Sequence, residues 1–460
     1  MKFGLDENII EKIIQVFEAN SKVDKAFIVG SRAQGNYRQD SDIDIVVKGC
    51  EIKLDDIIKM NVAFEKKRID YIIDLIDYSS IKEKSFMEHI DRAGIEIYSA
   101  WNKYKLGDII KFGNGKERPK TEGNIAVFGG NGILGYCDQS NYNDETIIIG
   151  RVGAYCGSVF YQNRPIWVSD NALAVKPKEK FSAKFLYYFL QNLKLNTFAG
   201  GSSHPLVTQT LINSIDVLIT NNYIEQIAIT SILSGLDNKI DLLHRQNKTL
   251  ELLAETLFEK WFIEETKENW EEAVLDKYVF FDPKEKLVRN NSCQFFEMKC
   301  LSNVDMNISE GIQRIISSAS SFRNMDTLLA KITPCLENGK TGFVMHLNAN
   351  EIARGSTEFI VMRSKGIVSP YWIYCLARNN DFRDHAILSM TGTSGRQRVQ
   401  IDLLKSIKVK VDKSRMHEFH RTVDPFFKKI KSNQTQIRTI TQLRDTLLPK
   451  LMTGDIRIKY

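Results

Sequence analysis

Proline is scarce in this chain, nine in 460 residues, and no two prolines are adjacent. An Asn-Pro-Pro-Tyr loop of the amino-methyltransferase kind therefore cannot occur. The seven cysteines, Cys50, Cys137, Cys156, Cys293, Cys300, Cys335 and Cys375, are odd in number, scattered and never paired as Cys-x-x-Cys. That pattern argues against structural zinc and for reduced thiols in a cytoplasm. A signal-peptide pattern is absent, as is any apolar run near the roughly 20 residues that span a bilayer, so no membrane is expected among the partners. No nuclease constellation emerges either: His204, His385 and His417 stand alone and read as structural.

What remains is ordinary in bulk and uneven in charge. Hydrophobic residues make up 43% and charged ones 26%, as in a soluble protein. The length exceeds what one hydrophobic core serves, so two to four domains are expected. Residues 1–100 carry 15 Lys+Arg against 19 Asp+Glu, whereas the remaining 360 carry 48 against 38. An acidic head and a basic body face different partners. The body suits a polyanion such as DNA, with a solvated surface as the plainer alternative.

The strongest pattern is a helical seam over 224–262. Leu236, Ile240, Leu243, Asn247, Leu250, Ala254, Leu257 and Trp261 recur at alternating steps of four and three, the spacing of a coiled coil. Phe426, Ile430, Asn433, Ile437, Ile440, Leu447 and Leu451 share that spacing at an offset of about 190. The chain thus repeats itself and can supply the seam's partner; a coil between two chains is the alternative. Upstream, Leu211, Ile212, Ser214, Ile215, Val217 and Ile219 match Leu403, Leu404, Ser406, Ile407, Val409 and Val411. Asn171 to Val175 lies against Thr357 to Val361, and Leu186 to Leu190 against Trp372 to Leu376. Two units, each followed by a long helix, is the architecture this predicts for the body. The expected segments are 1–100, 101–223, 224–264, 265–416 and 417–460. A helix over 224–262 is about 58 Å long, under two turns of B-DNA at about 34 Å each. The pair can act as a spacer, with Asn247 and Asn433 fixing its register.

The first hundred residues read as a small α/β unit. A helical pattern from about Leu5 to Asn20 precedes an apolar strand, Ala26 to Val29, that ends in Gly30-Ser31-Arg32. A second strand carries Asp42 and Asp44, two apart and hence on one face. A third can bring Asp74 there, and Asp70 and Asp77 are near enough to contest the place. Paired carboxylates suit a hard cation such as Mg2+ bridging to substrate phosphates. The Gly30-Ser31 turn can offer N–H groups and a hydroxyl to a phosphate, with Arg32 near to offset charge. In this order and spacing the residues resemble the minimal nucleotidyltransferases of the DNA polymerase β superfamily. The resemblance implies two-metal transfer of a nucleoside monophosphate from an NTP. Asp42, Asp44 and Asp74 would be the metal-binding and catalytic acids, and Gly30, Ser31 and Arg32 would bind the nucleotide. Some members are antitoxins that nucleotidylate a partner protein; a fold kept for binding with catalysis lost is the alternative.

In the body, Gly130-Asn-Gly132-Ile-Leu-Gly135 satisfies G-x-G-x-x-G. The following stretch, Tyr136 to Asp144, is rich in turn formers and cannot open the helix that a dinucleotide fingerprint needs. The glycines are read as a tight turn. A polar, glycine-flanked loop precedes the repeated strand in each copy. The first holds Ser202, Ser203 and His204, and the second Thr393, Ser394, Arg396, Gln397 and Arg398. With Arg151, these are the candidate DNA contacts, since such side chains donate to base edges or phosphates; the alternative is a pair of solvated loops.

The strings Phe128-Gly-Gly-Asn-Gly-Ile133, Gly150-Arg-Val-Gly-Ala-Tyr-Cys156, Ser356-Thr-Glu-Phe359 and Thr391-Gly-Thr-Ser-Gly-Arg-Gln-Arg398 are similar to the target-recognition domains of type I restriction-modification specificity subunits. The likeness spans about 360 residues. It implies a mixed α/β fold, in which a small nucleotidyltransferase domain precedes two α/β target-recognition domains separated by two long antiparallel coiled-coil helices. It also implies a bipartite double-stranded DNA target, methyltransferase (M) and restriction (R) subunits docked on the frame, and no cofactor bound by the body. The N-terminal domain departs from that family. It leaves open an alternative, a Mg-dependent, antitoxin-like nucleotidyltransferase that uses the body for targeting.

Overall fold

The computed structural model describes residues 3–49, 51–200, 205–285, 293–315, 319–393 and 395–458. It divides into two compact units, one of Met1–Asp237 with Gln442–Tyr460, the other of Asn238–Thr441.

The first unit opens with α1 (Glu7–Glu18), β1 (Val23–Ile28), α2 (Gly30–Gln34), β2 (Ile43–Gly49), α3 (Leu54–Lys66), β3 (Ile73–Asp77), α4 (Lys84–Ala93) and β4 (Ile95–Ser99). Its sheet runs β3-β2-β1-β4, with β2 and β3 parallel and the other pairs antiparallel. Alternation along β2 builds two layers. Ile43, Ile45 and Val47 join the core with Phe17 of α1 and Phe64 of α3. Val46 turns the other way, onto Val29 and Ile90 of α4, and Asp44 shares its face.

Next come β5 (Trp101–Lys105), α5 (Leu106–Ile109), β6 (Ile110–Asn114), β7 (Ile125–Gly129), β8 (Gly132–Cys137) and β9 (Thr146–Gly150). They are followed by β10 (Val159–Gln162), β11 (Trp167–Val168), β12 (Ala172–Pro177), α6 (Ala183–Asn192), α7 (Gln209–Asn213) and β13 (Asp216–Thr220). Gly129 pairs with Gly132 in an antiparallel β7–β8 hairpin, so the glycine-rich string is indeed a tight turn. The helix α8 (Tyr223–Glu259) begins here.

The second unit holds β14 (Glu271–Val274), β15 (Val279–Phe281), β16 (Cys293–Phe296), β17 (Ile312–Arg314), β18 (Ser320–Phe322) and β19 (Thr327–Ala330). After these come β20 (Thr341–Phe343), β21 (Ala353–Gly355), β22 (Phe359–Ser364), α9 (Pro370–Arg378), α10 (Asn380–Leu388), α11 (Ile401–Lys405), β23 (Lys408–Val411) and the start of α12 (Lys413–Thr453).

The two heads share one plan. The sheet β10-β9-β12-β6 of the first has its counterpart in β20-β19-β22-β15 of the second. Likewise β8-β7-β11 corresponds to β17-β16-β21, with the outer pair antiparallel and the inner pair parallel in both, while among the described residues β18 adds a fourth strand beside β21 in the second head alone. The pair β5–β13 matches β14–β23. The central strands show why the sequence repeats there. In β9, Ile147 and Ile149 enter one core while Ile148 enters another. In β19, Leu329 and Leu328 divide in the same way. A strand buried on both faces needs an unbroken apolar run, and both copies have one.

No seam residue named above is exposed. In the first unit Asp237 of α8 meets Arg444 of α12 at 2.9 Å, and Glu225 meets Arg457 at 2.8 Å. In the second, Asn247 meets Asn433 at 2.8 Å, and Glu265 meets Arg415 at 2.9 Å. Rising numbers along α8 and the residues just past it meet falling numbers along α12 and the residues just past it, so within each unit the helices run antiparallel. Among the described residues no helix is long and apolar enough to cross a membrane.

Candidate functional sites

The N-terminal site is built on the ends of β1, β2 and β3. Gly30 follows β1 with φ +67°, and a Cβ there would lie 2.3 Å from Asp44 Oδ2. Only glycine lets the backbone approach this carboxylate. Ser31 follows in the first turn of α2, Asp42 precedes β2, and the parallel register sets Asp44 directly beside Asp74. Asp42 and Asp74 are exposed and Asp44 is half-buried. Burial raises the Asp44 carboxyl above its usual range, the negative charges of Asp74 and Asp42 add to this, and Arg32 opposes it. Asp70 lies in the loop before β3. Asp77 points to the other face of the strand and caps the next turn, accepting from Ser79 N–H at 3.1 Å. Of the three contenders, Asp74 is the one that shares a face with Asp44.

Arg32 is a correction to the sequence reading. It is 2% exposed, and its donors all go to main-chain oxygens. Nε donates to Asp42 at 3.0 Å and Ser41 at 3.2 Å, Nη1 to Phe3 at 2.9 Å and Nη2 to Ser41 at 2.5 Å. Its plane lies 4.9 Å from the Tyr71 ring and 5.5 Å from Tyr37. The buried guanidinium is turned onto the main chain and positions the segment carrying Asp42.

Among the described residues no three His, Cys, Asp or Glu side chains close round one point as a metal cage would. The donors that are present suit Mg2+ nonetheless, because that ion is held by one or two carboxylates and takes its other ligands from water and substrate phosphates. A cation there would offset the burial that raises Asp44 and the repulsion from Asp74 and Asp42 that adds to it. Asp42, Asp44 and Asp74 are the residues that would hold it.

In the second head, Thr391 and Arg398 bridge at 2.9 and 3.0 Å to close the loop, with Arg396 N–H donating to Thr393 O at 2.9 Å inside it. Thr393 and Arg396 are exposed and Gln397 is half-buried. Arg398 is turned onto Glu358, donating through Nε at 2.9 Å and Nη2 at 2.7 Å. Its guanidinium therefore fastens the loop base to the segment before β22 while the side chain stays exposed. In the first head the corresponding closure joins Gly200 to Leu206. Exposed Arg151 accepts from Val207 N–H at 3.0 Å, as Lys331 does from Val399 in the other head. The expected contacts Ser202, Ser203, His204 and Ser394 lie outside the described residues.

Sequence reasoning missed several polar anchors. Tyr188 of α6 donates to Asp237 at 2.5 Å, and Tyr374, its match in α9, donates to Glu251. Repeat matching paired the tyrosines but could not show what they touch. Arg457 was also missed. It donates to Val23 O at 3.2 Å and Glu225 at 2.8 Å and pairs with Asp24, tying the tail to the N-terminal domain.

Comparison with known proteins accords with both halves of this geometry. Residues 98–252 match the type I restriction modification DNA specificity domain, and residues 11–102 match the polymerase beta nucleotidyltransferase family. The type I restriction enzyme MjaIX specificity subunit of Methanocaldococcus jannaschii is 22% identical over 342 residues, 66% of this chain and 76% of that protein. The EcoprrI specificity subunit of Escherichia coli is 29% identical over 136 residues, 29% of this chain and 33% of that protein. The crystal structure of a type I restriction-modification S subunit from M. genitalium superposes with a TM-score of 0.52 at 16% identity, covering 76% of this chain and 96% of that one. The chain thus joins a body that resembles type I restriction-modification specificity subunits to an N-terminal domain that resembles the polymerase β nucleotidyltransferases.

Proposed function

We propose that this chain is the DNA specificity subunit of a cytoplasmic type I restriction-modification complex. Each head reads half of a bipartite duplex site, and the helices hold the halves in register for methyltransferase and restriction subunits that dock on the same frame. The observation that carries this reading is the shared strand order of the two heads, each joined to a long helix by a repeated strand. It agrees with the basic body and with the likeness to specificity subunits. Sequencing the methylated sites in cells that express the chain with its methyltransferase tests it. Exchange of the second head should change one half of the methylated sequence and leave the other.

The loops give a finer test. Arg396 and Arg398 are both exposed in the second loop, and Arg398 is paired with Glu358. Arg396→Ala should weaken binding by about 1–3 kcal/mol at sites with the cognate second half and relax specificity there alone. Equal weakening on every sequence, with a shallower salt dependence, would make Arg396 a phosphate contact instead.

A second activity is supported by Gly30 standing against Asp44 and by Asp44 in register with Asp74. On this reading the N-terminal domain transfers a nucleoside monophosphate from an NTP to an acceptor hydroxyl, breaking the α–β phosphoanhydride bond and releasing pyrophosphate, with Mg2+. The ion would supply charge neutralisation between the carboxylates and the phosphates. Ser31 and the Gly30 backbone seat the triphosphate, Arg32 fixes the Asp42 segment, and Asp74 takes the proton of the acceptor hydroxyl. A protein acceptor co-purifying with the chain would favour targeting of this activity by the body.

A further inference from the structure

In the N-terminal sheet β3 is an edge. Strand β2 pairs with one side of it, and among the described residues no strand pairs with the other. Beside that edge Ile72 is 71% exposed, and on α3 Leu54, Ile58 and Val62 are 75%, 51% and 42% exposed. Their four-residue spacing gathers the α3 residues into one stripe.

The stripe's direction follows from what lies opposite. Lys67, about 180° round a helix from Ile58, donates to Gln15 of α1 at 2.7 Å. Phe64 packs edge-on against Phe17 of α1. Helix α1 lies over β1 and β4, whereas α3 lies against β3. The stripe therefore overhangs the open edge of β3, and an unpaired strand and an apolar helix flank share one side of the domain.

Such a combination is one that proteins normally cover or blunt. A partner that covers it must bring a strand edge and an apolar flank in matching arrangement, and the same patch on a second copy does so. About a two-fold axis beside β3 the patch meets itself. The strands would pair antiparallel, and α3 would cross its copy with Ile58 on Ile58 and Leu54 on Val62. The charges agree with this. Exposed Asp55 and Lys59 border the stripe one turn apart. The antiparallel crossing would set each Lys59 beside the other copy's Asp55, opposite charges on the flank the two copies share.

We propose that this face of the N-terminal domain is a homodimer interface whose occupant is a second copy of the chain, formed by β3 on β3 and α3 on α3 centred at Ile58. Two carboxylate clusters then share one continuous sheet. The interface does not depend on whether the domain is catalytic or on what the body reads.

Sedimentation equilibrium on the full chain tests it. The expected mass is twice that of one chain at micromolar concentration, falling to a single chain in Ile58→Glu with unchanged circular dichroism. Mild oxidation of Ile58→Cys should give a disulfide-linked dimer on a non-reducing gel, absent from the native chain and from Leu54→Cys. A monomer throughout, a dimer indifferent to Ile58→Glu, or no cross-link in Ile58→Cys overturns the proposal. So does protection of the Ile58 stripe from hydrogen exchange by a methyltransferase subunit instead of by raised concentration of the chain.

Discussion

Asp44→Asn is expected to lower transfer of label from α-phosphate-labelled ATP by about a thousandfold or more, a loss of about 4 kcal/mol of transition-state stabilisation. The sites methylated in cells should stay unchanged. The first effect follows from the convergence on Asp44, whose carboxyl is raised by its own burial and by Asp74 and Asp42. Asparagine keeps the shape and removes the charge a cation needs. The second follows from the division of labour, since the site sits on β2 and β3 and the reading loops do not. Gly30→Ala adds an internal check. Its Cβ would sit 2.3 Å from Asp44 Oδ2 at a φ of +67°, so it should displace the carboxylate without removing it and cost a comparable share of the rate. Label transfer that survives in Asp44→Asn would belong to a contaminant. No transfer by the native chain to any co-purified protein would leave the domain a binder that has lost catalysis.

How much of this was legible beforehand varies with the distance over which a residue's partner lies. The seam was legible because its partners share a period. Asn247 and Asn433 were expected to fix register, and Asn433 Nδ2 donates at 2.8 Å to both Asn247 Oδ1 and Gln246 Oε1. The template passed over Arg444, which breaks the apolar pattern between Ile440 and Leu447. It lies in the seam because Asp237 waits opposite, and only the pairing of two distant segments reveals that. The acids of the N-terminal site were legible because strand alternation is local. Arg32 was not, because its burial depends on the carbonyls of Phe3, Ser41 and Asp42, which no side-chain pattern encodes. The pairing of Arg398 with Glu358 was hidden for the same reason, since Glu358 lies 40 residues away. The docking of the first hundred residues was invisible. It rests on Arg457 reaching Asp24 across 433 positions and on Asn222 donating to Glu18 O at 2.6 Å.

The same dependence on a distant partner gives the second large expectation, a pH dependence in the seating of the second head on α8. Glu251 is 5% exposed, accepts from Tyr374 and, at 3.1 Å, from Met306 N–H. Burial dominates and pushes its carboxyl from 4.5 up to about 7, with Glu255 adding to the rise. Arg378 opposes it but is spent on Glu255 at 3.3 Å and on the carbonyls of Asn303, Val304 and Gly339. The matching tyrosine of the first head donates to Asp237, which has Arg444 as a counter-ion; Glu251 has no such relief. Between pH 4.5 and 7 the folded unit holds a proton at Glu251 that the unfolded chain has released. Its stability therefore falls as pH rises through that window, by about 3 kcal/mol in all from this group. Glu251→Gln removes the titration while keeping an acceptor for Met306 N–H and an amide for the Tyr374 oxygen. Hydrogen exchange in α9 should show the variant close to the native chain at pH 5 and more stable at pH 8, the difference changing by about 3 kcal/mol between them. A difference that does not move with pH would mean that water or a counter-ion reaches Glu251. The head would then be held to its helix by apolar contacts such as Phe258 on Trp372, centroids 5.8 Å apart, and the pH of the cell would have no hand in how firmly it is held.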